Sequence, residues 1–348
     1  NTEVKSKKAH IFSIKNALLY VPKNRGGSWG SMPYVAKNPE YGATFTYYIK
    51  EEYKTAQAKR RDVEKELIKT KSPIPEPTPK ELFDEKNETP PYLIFTISDS
   101  EGNEVRKIFT NAKKGINRIN WNLKYLWSGP IKATDKFDPT KLKNDQGIFV
   151  LPGTYQVKLD LVYNNQIENL VENQKFEVIK LQNTTLPAEN PKELAAFQLK
   201  LKELARISMG TRSLLSELQL KINGYEQAAL STTGVPTSLI TDINLIKQEL
   251  KEIEWKLDGE QPAASYEETK PDVMAIMERL EAILYIHTAS TSGISQKQMD
   301  GYEIVKNQIK PLIIQLNDIN LVKMAQIEAL LNQYKAPWTS GRVLEFKD

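Results

Sequence analysis

Strand-like alternation in residues 92–178 constrains the fold of this chain more than any other feature. Two runs carry large apolar side chains at every second position, namely Leu93, Phe95 and Ile97, then Tyr155, Val157, Leu159 and Leu161. A period of two with β-branched and aromatic residues is typical of strands with one buried face. Residues 99–103 between strands contain Asp, Gly and Asn, which favour a turn. The stretch therefore predicts an antiparallel β-sandwich of immunoglobulin-like (Ig-like) type.

An insertion at residues 53–91 is predicted to interrupt this sandwich, which spans residues 41–182. Residues 53–71 are rich in charge, lack Gly and Pro, and carry a narrow apolar stripe at helical spacing. Four prolines then stand at every second position: Pro73, Pro75, Pro77 and Pro79. Such a segment favours an extended polyproline conformation. The insertion is therefore predicted to be helical and Pro-rich, and residues 1–40 are predicted to be an N-terminal connector.

Helical periodicity dominates from residue 183 and predicts an antiparallel four-helix bundle over residues 183–335. The first apolar stripe runs from Leu194 to Ile222 in alternating steps of three and four, which is a heptad seam. Three further stripes follow within residues 239–257, 273–287 and 302–334. Seams that face one another bury the apolar surface that a single amphipathic helix leaves exposed. The overall prediction is an α+β protein with more than one domain.

The last segment, residues 336–348, is predicted to be an ordered tail that packs back on the sandwich. Pro337 disfavours helical backbone at the residue before it, so the fourth helix ends there. Trp338, Leu344 and Phe346 follow. Disordered tails are usually poor in large apolar residues, because too little apolar surface is buried to offset the ordering entropy.

Several short motifs resemble the Ig-like repeat of the flagellar hook-capping protein. They are GNEVRKI at 102–108, GINR at 115–118, WNL at 121–123 and PGTYQV at 152–157. Flanking motifs resemble the C-terminal region of large Bacteroidetes proteins that carry an N-terminal sortilin-type β-propeller and are often labelled glycosyl hydrolases. Those motifs are NPEYGA at 38–43, YYIKE at 47–51, NTTLPA at 183–188 and PWTSGR at 337–342.

Well-formed structural patterning without a constellation of residues for catalysis predicts a role without chemistry of its own. The resemblance suggests an accessory or interaction region of a secreted, cell-surface or periplasmic bacterial protein, which supports an upstream propeller of the same polypeptide or docks a protein partner. The propeller is not part of this sequence, so its activity is not carried over. The first residues lack the apolar region of a signal peptide. If the protein is secreted, its signal belongs to a part outside this sequence.

Composition argues against several classes of function. The chain has 48 basic and 44 acidic residues in 348, a net charge of +4, whereas nucleic-acid binders show a clustered basic excess. No apolar run approaches the roughly 18 residues of a membrane span. The sequence contains no cysteine, which removes disulfides, thiolate nucleophiles and zinc–cysteine sites. No nucleic acid, membrane span, cofactor or metal is therefore predicted.

Histidine is scarce, and this limits nucleophilic catalysis. A serine triad needs a histidine base that an acid holds in place, and only His10 and His287 are present. His287 falls on the apolar stripe of the third predicted helix, where a core histidine bonded to a neighbour is the ordinary interpretation. Two isolated histidines without cysteine also argue against a transition-metal site.

Paired carboxylates are the remaining enzymatic alternative. Glycoside hydrolysis needs only two acids at a suitable separation, and the candidates are Asp99 with Glu101 and Asp135 with Asp138. Acids are common in turns for conformational reasons alone, and all four lie in predicted turns or loops. We therefore predict no catalytic residues, while a fragment of a carbohydrate-active enzyme stays open as the alternative.

Aromatic side chains in loop-like segments form the candidate interaction surface: Trp29, Tyr34, Tyr41, Trp127 and Trp338. Exposed aromatic rings stack on sugars or anchor protein interfaces. The alternative is that these rings fill gaps between the sandwich, the insertion and the bundle. A protein partner is therefore predicted, with a glycan as a second possibility.

Overall fold

The computed structural model describes residues 2–22, 38–127, 129–131, 138–141, 147–181, 188–260 and 274–344. The protein is α+β and divides into two compact units. The first comprises residues 1–127 and 133–187, and the second comprises residues 128–132 and 188–348. Within the described ranges, every helix is too short or too polar to cross a lipid bilayer.

Among its described residues, the first unit contains eight strands, three helices and a 3₁₀ turn at Pro139–Lys141. The strands are β1 (Ala9–Ile11), β2 (Ala17–Leu19), β3 (Ala43–Ile49), β4 (Tyr92–Asp99), β5 (Glu104–Asn111), β6 (Gly115–Trp121), β7 (Gly153–Tyr163) and β8 (Gln166–Lys180). The helices are α1 (Thr2–Ser6), α2 (Ala56–Lys69) and α3 (Pro79–Asn87).

The strands form two sheets that are rich in antiparallel pairs. One sheet has the order β1-β3-β6 and the other has the order β2-β8-β7-β4-β5. Every pair is antiparallel except β2 with β8, which is parallel. The alternation seen in the sequence is confirmed, because Leu93, Phe95 and Ile97 are all fully buried.

A single apolar core joins side chains from both sheets. Phe45 of β3 stacks on Phe95 of β4 with ring centroids 6.2 Å apart, and it meets Phe176 of β8 edge-on at 5.4 Å. Trp121 at the end of β6 contacts both Tyr155 and Phe176. Aromatic rings from five strands therefore meet in the space between the sheets.

The predicted connector at residues 1–40 contains two short strands, in apolar runs that fit either a strand or an extended connector by sequence alone. β1 pairs with β3, and β2 pairs with the last residues of β8. Ile11 and Leu19 are both buried in the core. Each strand has only three residues, which is too short for a period of two to stand out in the sequence. These residues therefore belong to the sheets, which corrects the prediction of a connector.

The insertion at residues 53–91 contains two helices, α2 and α3, and neither has a buried residue. Polar contacts join them: Arg60 donates to both carboxylate oxygens of Glu85 at 2.7 Å each. Helix α3 was not predicted. Its signal is Thr78 followed by Pro79 and Glu81, because Thr78 and Glu81 form a capping box around a first-turn proline.

The second unit contains α4 (Pro191–Leu230), α5 (Thr237–Asp258), α6 (Ile276–Ala289), α7 (Gln296–Asp318) and α8 (Met324–Gln333), with a π-helical turn at Ile319–Lys323 joining the last two. Many of its core residues lie on the predicted apolar stripes, but Met277, Met324 and Leu331 are buried outside them. Leu201, Leu250, Leu280 and Leu312, one from each stripe, are all buried.

Contacts along α4 show that α5 and α6 run one after the other in the same direction. Glu226 and Arg212 of α4 pair with Lys247 and Asp258 of α5, so these helices are antiparallel. Farther towards the start of α4, Phe197 packs on His287 near the end of α6.

Helices α7 and α8, which follow one another, run parallel to α4. Phe197 of α4 also contacts Tyr302 early in α7, and Lys221 of α4 pairs with Glu328 in α8. The helices thus form three columns, with α5 and α6 sharing one. This differs from the predicted antiparallel four-helix bundle, in which each helix occupies a column of its own.

The π turn keeps the last column in register with the core. Ile319 is buried, and Met324, five residues later, is the next buried residue. An α-helical step of four would have turned Lys323 inward, whereas Lys323 instead pairs with Glu249 at 2.7 Å. Because the π turn contains one extra residue, Met324 and not Lys323 faces the apolar seam.

Ser208 and Thr211 lie buried in the seam of α4. Thr211 Oγ1 donates to the Ile207 carbonyl at 2.9 Å, while Ser208 Oγ has no partner within the described residues. Replacing both with leucine is expected to overpack the core and lower the free energy of unfolding by roughly 1–3 kcal/mol. Urea unfolding of the double variant measures this change, and an increase in stability would contradict tight packing at both sites.

Candidate interaction surface

The segment after α8 is ordered by a left-handed residue and a short turn. Lys335 has φ of 54°, which ends the helix. The backbone N–H of Ala336 then donates to the Leu331 carbonyl at 2.8 Å. These contacts give the chain a fixed exit from α8.

Arg342 holds this segment together from within. Its side chain is almost fully buried, and its Nη1 donates to the Pro337 carbonyl at 2.6 Å. Its Nε and Nη2 both donate to Asn332 Oδ1 on α8. The planar guanidinium thus uses its fork of donors to bridge the end of the helix and the turn.

The turn that Arg342 stabilises positions Trp338, one of the predicted surface residues. Its Nε1 donates to the Arg342 carbonyl at 2.8 Å, yet the residue is 55% exposed. Val343 and Leu344, which follow Arg342 in the chain, are also well exposed. The result is a surface indole whose orientation is fixed by a hydrogen bond.

The tail lies on helices of its own unit. Thr339 approaches Gly224 of α4, and Gly341 approaches Lys221 of the same helix. The packing of this tail on the sandwich, which the sequence predicts, stays a prediction. The tail prediction also expected Trp338 and Phe346 to be buried. Trp338 is exposed instead, and Phe346 lies outside the described residues.

A buried polar group supports the tail where α4 meets α8. Tyr225 is fully buried and its hydroxyl donates to the Glu328 carboxylate, which Lys221 Nζ also contacts at 2.6 Å. Burial, reinforced by the carboxylate, raises the pKa of Tyr225. Burial also works to raise the pKa of Glu328, but the bonds from Lys221 and Tyr225 outweigh it, so that pKa falls below its usual value. Glu328 therefore stays ionised and paired.

Of the other four aromatic candidates, the structure describes Tyr41 and Trp127, and both belong to the first unit. Trp29 and Tyr34 lie outside the described residues. Tyr41 packs edge-on against Tyr20 and Phe149, and burial raises its pKa to about 12. Trp127 is half-buried. The packing of Tyr41 favours the gap-filling alternative for that residue.

The candidate acids are engaged in local turns. Asp99 Oδ1 accepts from the backbone N–H groups of Glu101 and Asn103 at 2.9 Å each, and its Oδ2 accepts from the Asn103 side chain. Asp138 Oδ1 accepts from the backbone and the hydroxyl of Thr140. Asp135 lies outside the described residues. These bonds give Asp99 and Asp138 the role of turn acceptors.

The two histidines lie in different units, His10 in β1 and His287 in α6. His287 is buried against Phe197, and its Nε2 has no hydrogen-bond partner within the described residues. Among the described residues, no group of three or more His, Cys, Asp or Glu side chains is placed to hold a metal ion.

Acid is expected to destabilise the second unit through His287. Burial lowers the pKa of its imidazole from the usual 6.5, so the folded state binds fewer protons than the unfolded state below that pH. The stability that the neutral imidazole allows is present above about pH 6.5 and decreases as the pH falls below it. Urea unfolding between about pH 7.5 and 5 measures this slope.

His287→Phe is the control for this pH dependence, because it keeps an aromatic ring in the pocket and removes the titration. The slope between about pH 6.5 and 5 is expected to become shallower in this variant. An unchanged slope would show that other groups cause the acid sensitivity.

Sequence reasoning identified Trp338 but missed the residues that position it. Arg342 stands within the PWTSGR motif, where charge alone gave no indication that it would be buried. The signal for a tight turn there was the glycine just before Arg342. Gly341 has φ of 89°, a backbone conformation that glycine adopts readily.

Comparisons of this chain with protein-family models, with curated proteins and with solved structures found no match.

Proposed function

We propose that this chain is a non-catalytic accessory region that presents a rigid docking surface centred on Trp338. The observation that carries this proposal is the exposed indole held by the Arg342 carbonyl. A rigid aromatic anchor loses little conformational entropy on binding and is typical of the energetically dominant residues of protein interfaces. The partner is a protein, or an upstream propeller domain of the same polypeptide as the sequence resemblance suggests.

We also propose that the first unit is an Ig-like sandwich that acts as a spacer. Two sheets on one core and antiparallel pairing support this interpretation. So does Tyr155, whose hydroxyl donates to the Leu151 carbonyl four residues upstream at 2.7 Å. A tyrosine bonded back to the chain in this way is a feature of Ig-like domains. The resemblance further supports a secreted, cell-surface or periplasmic location.

Amide substitutions test the absence of catalysis in whichever protein contains this chain. Asp99→Asn, Glu101→Gln, Asp135→Asn and Asp138→Asn keep an acceptor oxygen and remove the acid. A turn role predicts that any glycosidase activity of that protein stays within about twofold of wild type, whereas loss of a general acid or base costs about 100-fold or more. A loss of that size in any one variant would overturn the proposal.

Glycan binding without turnover is the second candidate, and the exposed indole of Trp338 is the observation that favours it. Titration of soluble polysaccharides against intrinsic tryptophan fluorescence measures such binding. Trp338→Phe is expected to weaken it, while Trp255→Phe serves as the control, because Trp255 of α5 is also 55% exposed. Equal effects of the two substitutions, or no fluorescence change with any glycan, would remove this candidate.

A further inference from the structure

The insertion between β3 and β4 is held in place without an apolar core of its own. Neither α2 nor α3 has a buried residue. Large apolar side chains on both helices stay in water, since Val63 is 59% exposed and Phe83 is 65% exposed. Helices of 14 and 9 residues are marginal in water on their own. Polar contacts therefore have to supply the stability that apolar burial does not.

Two carboxylates at the end of α3 join it to the start of α2. Glu85 accepts two hydrogen bonds from Arg60, and its side chain is only 6% exposed. Glu88, the residue that caps the end of α3, accepts from the backbone N–H of Ala56 at 2.6 Å. That N–H lies in the first turn of α2, where it has no partner within the helix and where a negative charge is favourable. The two helices therefore stabilise each other.

The segment that joins the two helices is stiff. In residues 72–78, every residue is a proline or directly precedes one. Proline fixes its own φ and disfavours helical backbone at the residue before it, so the whole segment is confined to extended conformations. Thr78 shows this with φ of −67° and ψ of 155°. A stiff connection couples the movement of one helix to that of the other.

Tyr163, the last residue of β7, anchors the insertion to the sheet. Its hydroxyl accepts from Lys59 Nζ at 2.6 Å and donates to the Lys54 carbonyl at 3.4 Å. Its ring meets Tyr53 edge-on, with ring centroids 5.5 Å apart. All three partners belong to the insertion. This anchor is again largely polar, and it lies near the surface of the unit.

We infer that residues 53–91 form a strap that opens and closes as one unit while the two sheets stay folded, and that ionic strength shifts this equilibrium. The closed strap depends on contacts between charges, and between charges and backbone dipoles, which salt screens. The core between the sheets depends on apolar burial, which involves no charge to screen. Opening frees the Tyr163 hydroxyl and exposes the rings of Tyr53 and Tyr163. Segments with few buried apolar contacts are the ones that open locally.

Amide hydrogen exchange of the whole chain at about 0.01 M and 1 M sodium chloride tests the inference, because the Debye length falls from about 30 Å to about 3 Å over this range. The amides of α2 and α3 are expected to exchange together, and at least about threefold faster at the higher salt concentration. Those of β4 and β7 are expected to keep their protection. Equal protection of the strap and the core strands, or a response of one helix without the other, would overturn the inference.

Glu85→Gln removes the charge that binds Arg60. Exchange in both helices is expected to become about tenfold faster at low salt, and its dependence on salt is expected to weaken. Asp84→Asn is the matched control, because it removes the same charge from the same helix. The Asp84 side chain is 61% exposed and pairs with Lys80 at 3.5 Å, so exchange should stay within about twofold of wild type. Unchanged exchange in Glu85→Gln, or equal acceleration by both substitutions, would contradict the inference.

Tyr163→Phe tests the anchor, since it keeps the ring and removes the hydroxyl that Lys59 and Lys54 contact. The amides of α2 and α3 are expected to exchange at least about threefold faster in this variant, while β7 keeps its protection. The protection of β7 also shows, in the same experiment, that the sheets of each variant are folded. Faster exchange confined to β7, or no change in either helix, would contradict the role of Tyr163 as the anchor of the strap.

Discussion

Replacing Trp121 with alanine is expected to lower the free energy of unfolding of the first unit by roughly 3–5 kcal/mol. Trp121 is 1% exposed and contacts the rings of Tyr155 and Phe176. Its Nε1 also donates to the Lys124 carbonyl at 3.0 Å. The substitution leaves a large cavity in the core and removes that hydrogen bond. Urea unfolding followed by a probe of β structure measures the loss.

Ile116→Ala is the matched control for Trp121→Ala. Ile116 lies on the same strand, β6, but is 69% exposed, so its truncation is expected to change stability by no more than about 0.5 kcal/mol. If the two substitutions have similar effects, the core does not pack around Trp121 as described.

Replacing Arg342 with alanine is expected to destabilise the second unit by roughly 2–3 kcal/mol. Hydrogen bonds from a charged donor contribute about 1.5–3 kcal/mol, and truncation leaves the Asn332 and Pro337 oxygens without this donor. Trp338 should also lose its fixed orientation, because its acceptor is the Arg342 carbonyl. Thermal unfolding measures the first effect, and time-resolved fluorescence anisotropy of a variant that keeps only Trp338 measures the second.

Arg342→Lys tests whether the planar geometry of the guanidinium matters. Val343→Ala tests whether truncating a neighbouring side chain is by itself enough to lower stability. Lysine keeps the charge but lacks the planar fork, so it should restore only part of the stability. Val343 is well exposed, and its truncation should be nearly silent, within about 0.5 kcal/mol. Full restoration by lysine would show that the fork geometry is unimportant.

Elements with long periodic patterns were predictable from the sequence. The alternation of β4 and β7 and the four helical stripes follow directly from which side chains must leave water. Elements that depend on a distant partner were not. β1 and β2 are strands because β3 and β8 offer them hydrogen bonds, and three residues alone carry too little pattern to indicate this.

The arrangement of the helices could not be predicted from their stripes. Each stripe shows that a face is buried, but it does not say which helix covers that face. α4 has 40 residues, while α5 and α6 have 22 and 14. Lengths that nearly add up to that of α4 are consistent with two helices sharing one column, a relation that becomes clear once the ion pairs of Arg212 and Glu226 are known.

The candidate surface was predictable in part. Trp338 was a surface candidate because it lies in a loop-like segment after a helix-ending proline, although the tail prediction also expected it to be buried. Its exposure and its bond to the Arg342 carbonyl depend on a turn in which an arginine is buried. A charged side chain is buried only where hydrogen-bond partners are available, and its sequence position does not show this.

The central claim, that this chain works by docking and not by catalysis, is tested most directly by assaying the purified chain for turnover. The assay measures release of reducing ends from a panel of polysaccharides and cleavage of a peptide library, at enzyme concentrations of about 10 μM over hours. The account predicts product formation indistinguishable from the buffer control. Turnover by wild type that Asp99→Asn or Glu101→Gln abolishes would contradict it.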